Sequence, residues 1–175
     1  MFSNRDLLAR NFASDKLYMI SHCFNVMRRI DKEMKDGIEE VLRRAKICRI
    51  AMCDEGVPYC VPVIFCYSDG FIYVHSARKG RKIDVLKRNN IVCFETEVDI
   101  SLIRVGSPCE WTLAYKSVIG VGKASFVEDR EEKRKALNCI IKRYSDEDHE
   151  IPDEELDKVE VIRIEIEEMS GKKSP

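Results

Sequence analysis

Residues 48 to 75 read C-R-I-A-M-C-D-E-G-V-P-Y-C-V-P-V-I-F-C-Y-S-D-G-F-I-Y-V-H, three apolar runs separated by two short acidic-glycine punctuations. Cys48 to Cys53 is a strand pattern, and Asp54-Glu55-Gly56 is a turn. Pro58 to Tyr67 is a second strand, with Pro62 inside it. A proline gives no ladder N–H, so this strand belongs at an edge or an irregular position. Ser68-Asp69-Gly70 is a second turn, and Phe71 to His75 a third strand. Strand, tight turn, strand, tight turn, strand is the pattern of an antiparallel meander.

On either side the signals alternate between helix and strand. Gly37 to Arg44 carries Ile38, Val41 and Leu42 at helical spacing, acidic early and basic late, as the helix dipole favours. Gly80 to Asn89 is a short helix, and Ile91 to Glu97 a fourth strand. Residues 98 to 110 read as a long connection. Trp111 to Val127 is a strand bent at Gly120 and Gly122, where missing side chains permit a bulge. Asp129 caps a helix through Tyr144, an acidic solvated loop from Asp146 to Glu155 follows, and V-E-V-I-R-I-E-I-E from Val159 to Glu167 is a half-buried closing strand. The class is α+β, mainly β: an antiparallel barrel of about six strands with a few peripheral helices. Residues 1 to 26 show no sustained period and form an extension to a single domain at 27 to 175.

The 175 residues suit one domain, and 45% apolar residues supply its core. Thirty Lys and Arg against thirty-one Asp and Glu give a net charge of -1, no global attraction for nucleic acid or an anionic membrane. With neither a membrane-length apolar run nor a leader pattern, the expected location is cytoplasmic. The eight cysteines are then expected to be thiols. No C-x-x-C pair occurs, so neither a disulfide framework nor a structural zinc site is expected.

The chemistry concentrates in H-S-A-R-K-G-R-K-I-D, residues 75 to 84. Arg78, Lys79, Arg81 and Lys82 crowd the point where a strand ends and a helix begins. Unpaired N–H groups and the positive dipole end make a helix start an anion site, whereas cations there oppose the dipole unless an anion compensates. Ser76 adds a hydroxyl donor, Arg81 a bidentate grip and Lys82 a point charge. The competing reading is a solvated basic turn. No nucleophile elbow, Walker loop or dinucleotide glycine fingerprint is present, and Gly120-Val121-Gly122-Lys123 marks a strand bend.

The segment F-I-Y-V-H-S-A-R-K-G-R-K-I-D-V-L-K-R-N-N, with R-I-A-M near residue 50, V-P-Y-C-V-P-V-I-F, Y-K-S-V-I-G-V-G-K-A from Tyr115, D-R-E-E-K-R-K-A-L and V-I-R-I-E-I-E-E-M-S-G-K, resembles in collinear order the pyridoxamine 5'-phosphate oxidase-like flavin-binding split barrels. Within these it is most similar to the nitroimidazole-resistance (Nim) family. The resemblance implies a split barrel and a homodimer with flavin sites at its interface. It also implies FMN, with FAD as the other form, and reduction of a small acceptor such as a nitroaromatic compound. It assigns the flavin phosphate to Arg81 and Lys82, and places Val61, Pro62, Val63 and Ile64 along the isoalloxazine ring. His75 and Ser76 approach the ring and its tail. Ser117 stands where the oxidase relatives carry a polar side chain reaching the ring, and serine there is a departure from that larger group. Trp111 is implied as a contribution from the second subunit.

Plainer roles compete for single residues. His75 continues the Phe71 and Tyr73 face and reads equally as a hydrogen-bonded interior histidine. Trp111 reads as core or interface packing, and Tyr115 as strand packing. A haem-binding or haem-degrading barrel is the alternative from another class, its ligand coming from His22, His75 or His149. A non-catalytic flavin-binding protein is the other.

Overall fold

A computed structural model describes residues 32–147 and 149–174, with side chains from residue 37 onward. The extension expected at 1 to 26 lies outside the described residues. In chain order the elements are α1 (Lys32–Arg44), β1 (Cys48–Asp54), β2 (Val57–Val63), β3 (Cys66–Ser68), β4 (Phe71–Ala77), α2 (Arg81–Arg88), β5 (Ile91–Ile103), β6 (Thr112–Phe126), α3 (Arg130–Tyr144), α4 (Asp153–Lys158) and β7 (Val159–Ser174). The strands form one antiparallel sheet in the order β2-β1-β5-β6-β7-β4-β3. No ladder joins β2 to β3, so the barrel is split there and the sheet stays open.

Both acidic-glycine punctuations are two-residue hairpin turns. Glu55 and Gly56 have φ of 50° and 89°, and Asp69 and Gly70 have 51° and 85°. Positive φ at both central residues suits the twist of the flanking strands. The three runs do not form a continuous meander, however. The second run breaks at Ile64-Phe65 into β2 and β3, which lie at opposite edges of the sheet. The Phe65 N–H leaves the ladder and donates to the Tyr144 hydroxyl at 3.1 Å, while its ring is fully buried. Seven strands result instead of about six, and Pro62 sits on an edge strand as expected.

Three further expectations are corrected. Much of the long connection is strand: β5 continues to Ile103 past a bulge at Asp99, whose φ of 58° lets the ladder resume at Ser101. The acidic loop contains α4, and its Asp153 is paired with Arg134 and Arg130. Cys66 and Cys139 form a disulfide between β3 and α3, with Cα atoms 5.9 Å apart, so these two are not thiols. The bend of β6 does carry a register shift at Val121/Gly122, and Asp129 does cap α3, accepting from the Glu132 N–H at 2.7 Å.

Leu42, Ile50, Phe65, Ile72, Ile83, Phe94, Ile162 and Ile164 fill the barrel, closed at one end by α1. A smaller cluster of Val127, Ala136, Leu137, Ile151, Leu156 and Val161 lies outside the sheet beneath α3 and α4. Among the described residues no helix is long and apolar enough to cross a membrane.

Candidate functional site

The site begins where β4 alternates. Ile72 and Val74 point into the barrel, while Phe71, Tyr73 and His75 are half-buried on the other face. His75 lines a cavity of about 540 Å³ between the sheet, α3 and the α3–α4 connection. Its walls are Ile64, Leu137, Ile140, Ile141, Tyr144 and Ile151, with Ser145, His149 and Glu155 among the polar groups. His149 is held by the Ser145 hydroxyl at 3.0 Å. Tyr144 anchors the wall by donating to the Lys46 carbonyl at 2.7 Å. His75 has no protein hydrogen-bond partner among the described residues. Burial, and then the charge of Lys82, hold its imidazolium below the usual histidine range.

Beyond β4 the chain turns through Gly80, whose φ of 129° disfavours any side chain, and enters α2. Gly80 offers no side-chain cap, so the first amides of α2 are left for solvent or an anion. Arg81 lies over the Tyr59 ring, 4.4 Å from its centroid. Lys82 is half-buried, and desolvation lowers its pKa. Lys79, Arg81 and Lys82 have no carboxylate within ion-pair distance among the described residues, whereas flanking Arg78 meets Glu160 at 3.5 Å and Arg88 meets Asp54 at 2.6 Å. An uncapped helix start, a half-buried ammonium and a glycine with open space beside it make a cradle that fits a phosphate.

The other expected residues divide. Ile64 joins His75 in the cavity wall, exposed at the end of β2. Val61 and Val63 pack inward on the barrel core, while Pro62 is exposed opposite Arg49. Ser76, next to last in β4, is half-buried. Ser117 and Trp111 do not join this group. Ser117 lines a groove of about 310 Å³ with Glu95, Glu97, Ile100, Leu113 and Tyr115, none of which borders the His75 cavity. There Arg49 bridges Glu95 at 2.9 Å and Glu97 at 2.6 Å, and Glu97 stands directly across the ladder from Ser117. Trp111 is 44% exposed near the tip of the β5–β6 hairpin, with the Arg104 guanidinium 5.1 Å from its ring centroid. Sequence reasoning missed Tyr59 beneath Arg81, although its spacing from Val61 and Val63 placed it on their face, and missed the part played by α3.

Comparison with known proteins places the chain in a family. The sequence profile of the Pyridoxamine 5'-phosphate oxidase family matches residues 34–173. A candidate 5-nitroimidazole antibiotic resistance protein from Bacteroides thetaiotaomicron is 35% identical, with 81% of this chain and 85% of that one covered at a TM-score of 0.71. The FAD and haem binding protein from Mycobacterium smegmatis shares the fold at 16% identity, covering 80% of this chain and 71% of that one, TM-score 0.72. An FAD-binding protein from Mesorhizobium loti does so at 23% identity, covering 79% and 94%, TM-score 0.60. No curated protein matches the chain in a sequence comparison. By profile and by fold, the chain belongs to the pyridoxamine 5'-phosphate oxidase-like family and within it resembles the nitroimidazole-resistance proteins.

Proposed function

We propose that the protein is a flavin-dependent oxidoreductase that holds FMN and passes electrons to a small acceptor, a nitroaromatic compound being the class suggested by its 35%-identical relative. The observation that carries this reading is the Lys79, Arg81 and Lys82 cluster at the uncapped start of α2, with no carboxylate paired to it among the described residues. When bound, a flavin supplies the redox chemistry, and the protein's share is orientation, charge and exclusion of water. Arg81 and Lys82 would take the phosphate, with Tyr59 keeping the guanidinium in place from below. Ile64 and the apolar face of α3 exclude water beside His75. His75, kept neutral by burial and by Lys82, can offer a hydrogen bond without adding charge.

The proposal extends to a homodimer. Ser117 and Trp111 lie on a different surface from His75 in one chain, so a site using all three needs a second copy. Ile100, Leu102, Val105, Trp111 and Leu113 form an exposed apolar run on the β5–β6 hairpin, a surface suited to burial against that copy. Light scattering with size exclusion should report a dimer, and a monomer would remove this part of the reading.

The absorption spectrum of freshly purified protein, with chromatography of the released chromophore, tests the cofactor. A flavin spectrum is expected, and chromatography distinguishes FMN from FAD. Oxidation of a reduced nicotinamide in the presence of a nitroaromatic acceptor separates an enzyme from a non-catalytic flavin-binding protein. One observation favours haem as a second reading: His75 and His149 line the same cavity of about 540 Å³. A Soret band in place of the flavin bands would select it.

A further inference from the structure

We infer that the Cys66–Cys139 pair is a thiol–disulfide latch that sets how firmly α3 closes the cavity beside His75. Its position carries the argument. Cys139 lies on α3 between Leu137 and Ile140, and both of those side chains line the cavity. Cys66 opens β3, two residues after Ile64, which lines the opposite wall. The bond therefore ties the helical wall of the cavity to its sheet wall, closing a sequence separation of 73 residues. β3 is only three residues long and is hydrogen-bonded on one side alone, to β4, so its own ladder holds it weakly. The other polar ties of α3 sit at its two ends, and near its start Glu132 pairs with Arg163 at 2.9 Å, Arg130 with Asp157 at 2.8 Å and Arg134 with Asp153. Tyr144 bonds the Phe65 N–H and the Lys46 carbonyl, and Arg143 bonds the carbonyls of Arg43 and Ala45. These last bonds fall in the final turn of α3, leaving the cross-link as the tie from the middle of the helix to β3.

Cys66 is buried, whereas Cys139 is half-buried and gives exchange partners a way in. On closing, two S–H bonds break and one S–S bond forms. The two electrons and two protons pass to a low-molecular-weight disulfide such as oxidised glutathione, which leaves as two thiols. A dithiol reverses the step. The latch is thus open in a thiol-reducing compartment and shut in an oxidising one. Its consequence for ligand affinity rests on the flavin reading, whereas its effect on α3 does not.

The test uses the full chain after equilibration with oxidised glutathione or with dithiothreitol, and peptide mapping reports the linkage. Amide hydrogen exchange of residues 130–144 should quicken by about tenfold or more on reduction, since a constraint on a long loop is released. The C139S variant should exchange at the reduced rate under both treatments, and C60S, which alters an exposed free cysteine, should behave as the parent. FMN should dissociate faster from the reduced parent and equally fast from C139S in both buffers. Equal exchange in the two states, or a linkage that dithiothreitol does not open without denaturant, would overturn the latch. If α3 responds and FMN binds in neither state, the latch stands and the flavin reading fails; if FMN binds and α3 is indifferent, the reverse holds.

Discussion

Replacing Arg81 and Lys82 together by alanine should abolish the preference for a phosphorylated flavin while leaving the barrel intact. Each cation would make a charge-assisted bond to phosphate, and such bonds contribute roughly 1.5–3 kcal/mol. Arg81 is exposed and belongs near the lower figure, whereas half-buried Lys82 belongs nearer the upper. Their sum, about 3–5 kcal/mol, corresponds to a loss of roughly two to three and a half orders of magnitude in affinity. Quenching of flavin fluorescence on titration gives the dissociation constant directly. Riboflavin, which has the ring and ribityl chain without the phosphate, is the internal control, and its affinity should change by less than about threefold on this accounting. The loss of the Arg81–Tyr59 contact costs of order 0.5–1 kcal/mol at such a site, too little to unfold the domain, and circular dichroism verifies that. Should FMN bind the folded double variant as tightly as the parent, the phosphate does not sit at the start of α2. Should riboflavin lose as much as FMN, the two side chains act on the ring.

Arg143 caps the carbonyls of Arg43 and Ala45 at the end of α1 and lies over Phe65, 5.0 Å from the ring centroid. Arg143→Ala should lower stability by about 1.5–3 kcal/mol in urea titration, since the exposed Arg43 carbonyl and the Ala45 carbonyl both lose a charged donor, and a loss under about 0.5 kcal/mol would contradict the capping role. His75 is depressed by burial and by Lys82, so an unfolded chain takes up its proton first as the pH falls. Its contribution is therefore intact above the ordinary histidine range near 6.5 and lost progressively below it. The melting temperature of H75Q should fall less steeply than that of the parent between about pH 7 and 5, and parallel curves would refute this. Burial pushes the Cys48 thiol up to about 12, whereas Cys53, Cys60 and Cys109 are exposed. Iodoacetamide at mildly alkaline pH should label those three in the native protein and spare Cys48, as read by peptide mapping.

The local rules were legible where chain neighbours satisfy one another. Acid-glycine pairs can place two consecutive residues at positive φ, so both hairpin turns could be located. Asp129 bonds an amide three residues on, which makes the start of α3 visible from the sequence. The break at Ile64-Phe65 was not legible, because no glycine or proline marks it. Its N–H is satisfied by Tyr144, 79 residues away. The continuation of β5 past Asp99 was hidden by an aspartate at positive φ inside a strand. For the site, four cations at a helix start were conspicuous because they oppose the dipole. The cavity was not, since its wall comes from α3 and its cross-link joins residues far apart in sequence.

The position of β7 between β6 and β4 bears on how the molecule is made. Until Val159–Ser174 has left the ribosome, β2-β1-β5-β6 and β4-β3 are two sheets with no ladder between them, although the chain has already passed through all six strands. Their apolar inner faces, Ile72 and Val74 on one and Phe94 and Val118 on the other, wait for Ile162 and Ile164 to arrive between them. Joining of the two sheets thus follows the other six strands and depends on distant partners. A nascent chain stalled before β7 presents two further unpaired edges, β6 and β4, the state in which such a protein has most need of a chaperone.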